Sequence, residues 1–136
     1  MRTKQRNNLA ETARHERVAQ NTDVYAVKAR NYKGLRRGSP VLCSNNWHIH
    51  HAKSGGGQIL VCVAGCGYYQ EWGKPAQELH PGDVVNIPVG VRHWHGAAPD
   101  SWFSHLAVEV PGDETSNEWL EAVDSTTYFE AVNKKA

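Results

Sequence analysis

The stretch Gly82-Asp83-Val84-Val85-Asn86-Ile87-Pro88-Val89-Gly90-Val91-Arg92-His93 decides the fold of this chain. Pro81-Gly82-Asp83 is typical of a turn, and Val84–Ile87, rich in β-branched residues, is typical of a short strand. The stretch ends on His93, and imidazole is a common ligand of divalent transition metals. A candidate metal ligand therefore lies just beyond a predicted strand.

A second histidine-bearing stretch, Trp47-His48-Ile49-His50-His51, lies upstream. In an extended strand the side chains alternate between the two faces, so His48 and His50 project the same way and Trp47 and Ile49 the other way. Two histidines at i and i+2 on a strand can hold one ion. Chance His-x-His pairs are frequent, so this spacing indicates a metal site only together with the rest of the pattern.

From Val41 the chain reads as short strands separated by Gly and Pro turns, which is typical of an all-β sandwich or barrel. Strands are predicted over 58–64, 68–72, 76–79, 84–87 and 101–110, with a first strand over 24–29. The segment 33–40 is predicted to be a loop. Short helical turns are predicted for 117–123 and 128–132. Residues 1–22 form a polar segment, for which a short helix and disorder are both open.

Two spacings together resemble the signatures of the cupin superfamily. From Gly82 to His93 the chain has a Gly, five residues, Pro-x-Gly, two residues and His, and Gln58 is followed by six residues and Gly65. The resemblance covers about residues 46–110. It implies a double-stranded β-helix, the jelly-roll barrel, with a core over about 41–111 inside a cupin domain spanning 23–136. The run Trp94-His95-Gly96-Ala97-Ala98-Pro99 resembles the group with manganese-dependent hydroxynitrile lyases and the cupin part of carboxymuconolactone-decarboxylase fusions.

The resemblance implies one divalent ion held by His48, His50, Gln58 and His93. Gln58 stands where many cupins carry Glu, and its amide oxygen is neutral, so the ion keeps its full charge. Such a set favours Lewis-acid chemistry or anion binding over redox cycling. Three imidazoles and one amide oxygen suit Mn, Fe, Ni, Zn or Co.

The chain departs from the cupin pattern at two places. Leu42 stands where the first signature has Gly, and seven residues separate His50 from Gln58 instead of three or four. The longer spacing leaves His51 open as an alternative ligand to His50, and its Gly55-Gly56-Gly57 run can form a loop at the cavity mouth.

Strand alternation also predicts which side chains face the cavity between the sheets. Gln58, Leu60 and Cys62 share one face, and His105 shares a face with Phe103 and Ala107. We place Gln58 and His105 toward the cavity. The run His105-Leu106-Ala107 matches the hydroxynitrile-lyase-like cupins, which implies a proton-transfer role for His105. His95, two residues beyond His93, is a second candidate proton carrier.

Composition excludes several classes of function. Lys plus Arg is 15 and Asp plus Glu is 14, so the charge is nearly balanced and does not favour nucleic acid or an anionic membrane as a partner. No apolar run approaches the ~20 residues that span a bilayer. Three cysteines without a metal-type Cys-x-x-Cys motif favour a reducing cytoplasm.

An apolar row on the outward face of the last predicted strand favours a homodimer.

These features predict a metal-dependent enzyme of lyase type acting on a small carbonyl, hydroxyl or nitrile compound. A dioxygenase is less favoured because the fourth ligand is neutral. The alternative is a non-catalytic cupin that binds or senses a small molecule. A cupin that has lost its metal and acts as a structural module is a third possibility, raised by Leu42.

Overall fold

The computed structural model of the chain describes residues 13–17, 24–30, 44–99 and 101–133. These residues form twelve strands and one helix: β1 (Ala13–Arg17), β2 (Val24–Arg30), β3 (His48–His51), β4 (Ser54–Gly55), β5 (Gln58–Gly65), β6 (Gly67–Glu71), β7 (Gln77–Leu79), β8 (Val84–Ile87), β9 (His93–Ala97), β10 (Trp102–Glu109), β11 (Gly112–Asp113), β12 (Ser116–Trp119) and α1 (Ser125–Asn133). No helix in these described ranges has the length and hydropathy to cross a bilayer.

Two five-stranded sheets make up most of the described chain. The first has the order β1-β2-β10-β5-β8 and the second the order β12-β3-β9-β6-β7. Neighbouring strands run antiparallel, and consecutive strands alternate between the sheets in several places, as in a jelly roll. This arrangement confirms the predicted all-β double-stranded β-helix.

The apolar core lies between the two sheets and follows the predicted alternation. On β5, Gln58, Leu60 and Cys62 are buried, whereas Val63 on the opposite face is exposed. On β10, Phe103, His105 and Ala107 are buried and Trp102 is exposed. The buried cluster is Leu60, Cys62, Tyr69, Leu79, Val85, Ile87, Ala97, Phe103 and Ala107. The prediction that Gln58 and His105 face inward is confirmed.

β9 is buried along its whole length because both of its faces are covered. His93 and His95 point to the inner side, while Trp94 joins a second cluster with Trp47, Val123, Tyr128 and Ala131. Helix α1 covers this outer face, and the Tyr128 hydroxyl donates a hydrogen bond to the Ala97 carbonyl at 2.7 Å. The helix therefore fixes the strand that carries His93.

The connection between β5 and β6 requires glycine at both ends. Gly65 has a φ of +76°, and a Cβ there would overlap the Trp102 carbonyl oxygen. A Cβ on Gly67 would lie 2.6 Å from the Phe103 ring. Both glycines let β10 approach closely, and its pairing with β5 shifts register between Ser104 and His105. The approach seats the Phe103 ring beside His105.

Two predictions made for secondary structure are wrong. Ser116–Trp119 is a strand, not a helical turn, because it pairs with β3 in the register Asn117 to His50. Ala13–Arg17, inside the segment for which helix or disorder was predicted, is a strand paired with β2. Strand pairing with a distant segment overrides local propensity in both. The helical prediction for 128–132 and the strand prediction for 24–29 are confirmed.

The seven-residue spacing between His50 and Gln58 forms a short ribbon. Ser54 and Gly55 pair with Asp113 and Gly112, and the three glycines Gly55–Gly57 have φ angles of 61°, 80° and 99°. Leu42, Cys43 and the predicted loop over 33–40 lie outside the described residues. So does most of the segment 1–22.

Candidate metal centre and adjoining histidines

Three histidines from two strands of the second sheet converge on one point. His48 and His50 project from one face of β3, and His48 lies opposite His93 in the register with β9. One ring nitrogen from each of the three lies within 4.8 Å of the others. Their rings pack closely, with 4.1 Å between the centroids of His48 and His93. This group could hold a metal ion.

The outward ring nitrogen of each histidine is hydrogen-bonded to an oxygen. Nδ1 of His48 lies 2.8 Å from the Asn46 carbonyl, Nδ1 of His93 lies 2.8 Å from the Val91 carbonyl, and Nδ1 of His50 lies 2.7 Å from Asn117 Oδ1. An oxygen of this kind only accepts, so each Nδ1 carries the proton and each Nε2 keeps a lone pair. Such outer hydrogen bonds fix the tautomer and orientation of metal-binding histidines.

Three buried acceptor atoms at the centre have no hydrogen-bond partner among the described residues. Within the described part of the chain, Nε2 of His50, Nε2 of His93 and Oε1 of Gln58 are buried without a hydrogen-bond partner. A buried polar atom left without a partner costs about 1–3 kcal/mol. A divalent cation between these atoms would remove that cost, so the donor set fits a metal.

Gln58 reaches the cavity from the other sheet and is oriented by Glu109. Its Nε2 donates a hydrogen bond of 2.7 Å to Glu109 Oε1, and the two residues are register partners on β5 and β10. This bond fixes which end of the amide is the free acceptor. The amide oxygen, which is able to bind a cation, is therefore the atom without a hydrogen-bond partner.

The environment keeps the rings of His48 and His93 in their neutral form. Burial, with a further contribution from neighbouring His93, lowers the pKa of His48 to about 3. Burial also lowers the pKa of His93 to about 4. Neutral imidazole is the form that binds a metal, so neither ring has to lose a proton near neutrality before an ion can bind.

His95 lies beside this centre and is held by Asn45. The backbone N–H of His95 donates to Asn45 Oδ1 at 2.9 Å, which assigns the amide oxygen. The other end, Asn45 Nδ2, then donates to His95 Nε2 at 2.9 Å. His95 Nε2 is therefore an acceptor, and a neutral His95 carries its proton on Nδ1. Burial, with His105 and the other histidines, lowers the pKa of His95 well below its usual value.

His105 stands on the opposite sheet and faces His95. The two rings meet edge to face with 5.0 Å between centroids, and Phe103 stacks on His105 at 4.6 Å. His95 in turn lies 5.9 Å from the ring of His48. The buried histidines therefore form a continuous row from the three-histidine group across the cavity to the first sheet.

The structure brings the predicted site residues together, and the alternative ligand His51 lies apart from them. His48, His50 and His93 form the group, Gln58 is buried on the facing sheet, and His95 and His105 adjoin. His51 is exposed, and its Nε2 contacts Glu118 Oε1 at 3.1 Å. It lies outside the group, which contains His50.

Five residues that orient the site are not predicted from the sequence. They hold His95, His48, His50, His93 and Gln58 in place, and they are Asn45, Asn46, Asn117, Val91 and Glu109. The sequence predicts a helical turn that includes Asn117, and such a turn would not place Asn117 opposite His50. The strand alternation of β10 did place Glu109 on the cavity face and offered a signal for its role.

Comparison with known proteins gives a consistent picture. No family model matches the chain. The chain is 43% identical over 82 residues to an (R)-mandelonitrile lyase of Granulicella tundricola, and the match covers 60% of each protein. A cupin-like protein of Thermotoga maritima has a similar structure, with a TM-score of 0.67 and 35% identity over 90% of this chain and 85% of the other.

A third relative is a DMSP lyase of Ruegeria pomeroyi, with a TM-score of 0.52 and 28% identity. It matches over 71% of this chain, which spans only 41% of that lyase. The similarity to the Thermotoga protein covers 90% of this chain and 85% of the other, and it agrees with the two facing sheets described above. The chain belongs to the cupin superfamily and is related to its hydroxynitrile lyases.

Proposed function

We propose that the chain is a metal-dependent enzyme of lyase type that acts on a small carbonyl, hydroxyl or nitrile compound. The observation that carries this proposal is the set of buried acceptors, Nε2 of His50 and His93 and Oε1 of Gln58, that are left without a partner in the described chain. We assign one divalent ion to His48, His50, His93 and Gln58. The similarity to a mandelonitrile lyase supports the reaction class.

The chemistry that a bound divalent ion supplies is Lewis-acid polarisation of a substrate oxygen or nitrogen. The four ligands are neutral, because imidazole binds a metal in its neutral form and Gln58 carries an amide. The charge of the ion is then not reduced by its ligands, which favours polarisation over redox cycling. Mn, Fe, Ni, Zn and Co all suit this donor set.

His95 and His105 are proposed to transfer protons to and from the substrate, with different roles. A neutral His95 carries its proton on Nδ1, because Asn45 donates to its Nε2. His95 is therefore a hydrogen-bond donor to a bound molecule. His105, which lies 5.0 Å from His95 between ring centroids, is assigned as the general base. An imidazole can take or give a proton near neutrality, which suits this role.

The buried position of these groups supports catalysis on a small substrate. His95 and His105 are 9% and 2% exposed, and Phe103, Tyr69 and Leu60 are buried between the same two sheets. Aromatic and aliphatic side chains with a few polar groups among them are typical of small-molecule sites. In the proposed site these apolar side chains would contact the apolar part of a substrate while the histidines act on the polar part.

The proposal is tested by loading the protein with each candidate ion and measuring turnover of cyanohydrins, β-diketones and lactones. Release of cyanide or aldehyde from mandelonitrile supports it, and loss of that turnover in His93→Ala links turnover to the centre. His51→Ala is the matched control, since His51 is exposed and outside the group. A protein that holds one ion at the centre, binds such compounds and turns none over is the alternative, a binding or sensing cupin.

The cytoplasmic location and the homodimer stay predictions. Among the described cysteines, Cys62 and Cys66 are both free thiols, which agrees with a reducing compartment.

A further inference from the structure

A second group of side chains that could hold a metal ion lies on the outer face of the second sheet. Cys66 directly precedes β6, Glu78 lies on β7, and His80 directly follows β7. Glu78 pairs with Tyr68 across the two strands. Cross-strand partners share a face of the sheet, and so do residues two positions apart. Cys66, Glu78 and His80 therefore project together.

Their face is opposite to that of the three-histidine group. Tyr68, the strand partner of Glu78, packs against the outer cluster beneath helix α1. Its neighbour Tyr69 points inward instead and lies 5.7 Å from the His93 ring. In addition, β6 separates β7 from β9. The two groups are therefore on different faces and on different strands.

The three side chains already converge without an ion. Sγ of Cys66 and Nε2 of His80 each lie 3.3 Å from the same oxygen, Oε1 of Glu78. The three ligand atoms lie within 4.8 Å of one another. Ligand bonds to zinc are about 2.0–2.3 Å long, so an ion between atoms at this spacing needs only small side-chain movements.

We propose that Cys66, Glu78 and His80 form a second metal site, specific for Zn²⁺ or a cation of similar softness. Sulfur, nitrogen and carboxylate oxygen are the three donor types that zinc uses in proteins. Three protein ligands leave the fourth tetrahedral position to water, since Glu78 and His80 are exposed. The site has no part in the proposed lyase chemistry.

The proton balance of this site differs from that of the histidine centre. The Cys66 thiol donates a hydrogen bond to Glu78 Oε1 and keeps its proton. On binding, the sulfur–hydrogen bond breaks, the sulfur binds the cation as a thiolate and the proton leaves to solvent. A thiolate and a carboxylate then neutralise a divalent ion, with His80 as a neutral ligand. The thiolate selects softer cations than the neutral set of the histidine centre does.

A bound ion would link β6 to the short edge strand β7 of the second sheet. Strand β7 has three residues, Gln77–Leu79, and lies at the end of its sheet. A ligand from the start of β6 and two ligands from β7 and its end would join the hairpin across both strands. Binding to the folded state alone stabilises that state in proportion to the logarithm of ion concentration over Kd. The site is therefore expected to stabilise this edge of the barrel.

Titration of the full chain with Co²⁺, in the presence of a non-chelating reductant, tests the site. Cobalt bound to a thiolate gives a charge-transfer absorption in the near ultraviolet, which a site of histidines and amide lacks. We expect this absorption to saturate at one ion per chain and to remain in His93→Ala. The absorption should be lost in Cys66→Ser. His80→Ala should weaken cobalt binding by more than about 100-fold, which is more than the loss of a residue that only orients a ligand would cause.

The controls separate this site from the histidine centre. His51→Ala removes an exposed histidine on another strand and should leave the absorption unchanged. Absence of thiolate absorption in the wild-type chain, or its persistence in Cys66→Ser, would overturn the proposal. If Cys66→Ser fails to fold, Glu78→Gln replaces it as the ligand variant, and unchanged affinity there is equally contradictory. Loss of ions in His93→Ala bears only on the proposed lyase site.

Discussion

At the scale of single residues, the site depends on asparagines that no motif reveals. Asn45 and His95 are 50 positions apart in the chain, yet they share two hydrogen bonds. An Asn before a predicted strand is an ordinary loop residue, and nothing in its neighbours shows which ring it will meet. His48, His50 and His93 were predictable because strand alternation puts the first two on one face and the third ends the spacing that resembles a cupin signature, whereas their hydrogen-bond partners needed the fold.

Replacing Asn45 with Ala tests the assigned tautomer of His95. The change removes the donor to Nε2, so the ring can carry its proton on either nitrogen, and we expect about tenfold lower turnover with the ion still bound. ¹⁵N shifts of the His95 ring should change from a single Nδ1–H form to a mixture. Asn46→Ala is the matched control, because His48 bonds to the backbone carbonyl of Asn46. Unchanged shifts in Asn45→Ala would contradict the assignment.

Replacing His105 with Ala tests the general base. Because His105 lies outside the three-histidine group, we expect the variant to retain its fold and its ion and to lose about 10²-fold or more of the turnover. Steady-state kinetics and metal content are measured on the same sample. Loss of the ion would make His105 a ligand, and full turnover would make it structural.

At the scale of elements, strands with their own sequence pattern were predictable and strands made by pairing were not. Val84–Ile87 has the predicted bounds, and the inward face of β5 follows from strict alternation. Ser116–Trp119 is polar and short, and it becomes a strand only because β3 has an edge to pair with. The sequence therefore predicts the strands that carry the three-histidine group but not β12, which holds Asn117 against His50.

Strand β12 offers a paired test of that contact. Asn117→Ala removes the acceptor of the His50 Nδ1 proton, and we expect metal affinity to fall by about 10–100-fold. Glu118→Ala, one residue along, removes the partner of His51 on the other face and should leave affinity unchanged. Equilibrium dialysis against a metal buffer measures both. Equal affinities for the two variants would show that Asn117 does not orient the ligand.

At the scale of the whole molecule, an apolar patch lies on the outer face of the first sheet where β8, β5 and β10 run side by side. Val63, Val84 and Trp102 are 48%, 59% and 41% exposed, and Leu106, Val61 and Val84 line up across three strands. Such a face favours pairing of two chains. We expect light scattering at micromolar concentration to give the mass of a dimer and Val84→Lys to shift it toward a monomer. A monomer mass for the wild-type chain would contradict this prediction.

The stability of the metal-free protein should depend on pH in a defined direction. His48 and His93 have pKa values of about 3 and about 4 when folded, whereas an unfolded histidine titrates near 6.5. Between those values the unfolded chain binds protons that the folded chain excludes, so stability falls as pH falls below about 6.5. Urea unfolding at several pH values should show a loss of up to about 1.4 kcal/mol per pH unit for each histidine. A constant or rising stability would contradict the burial of neutral rings.

The metal content of two variants tests the central claim most directly. Cys66→Ser removes the thiolate of the second site, so any stoichiometric ion left in that variant belongs to the histidine centre. We predict one divalent ion per chain in Cys66→Ser and none in the double variant Cys66→Ser with His93→Ala, measured by elemental analysis of folded protein. The same metal content in both proteins would show that His48, His50, Gln58 and His93 are not the ligand set.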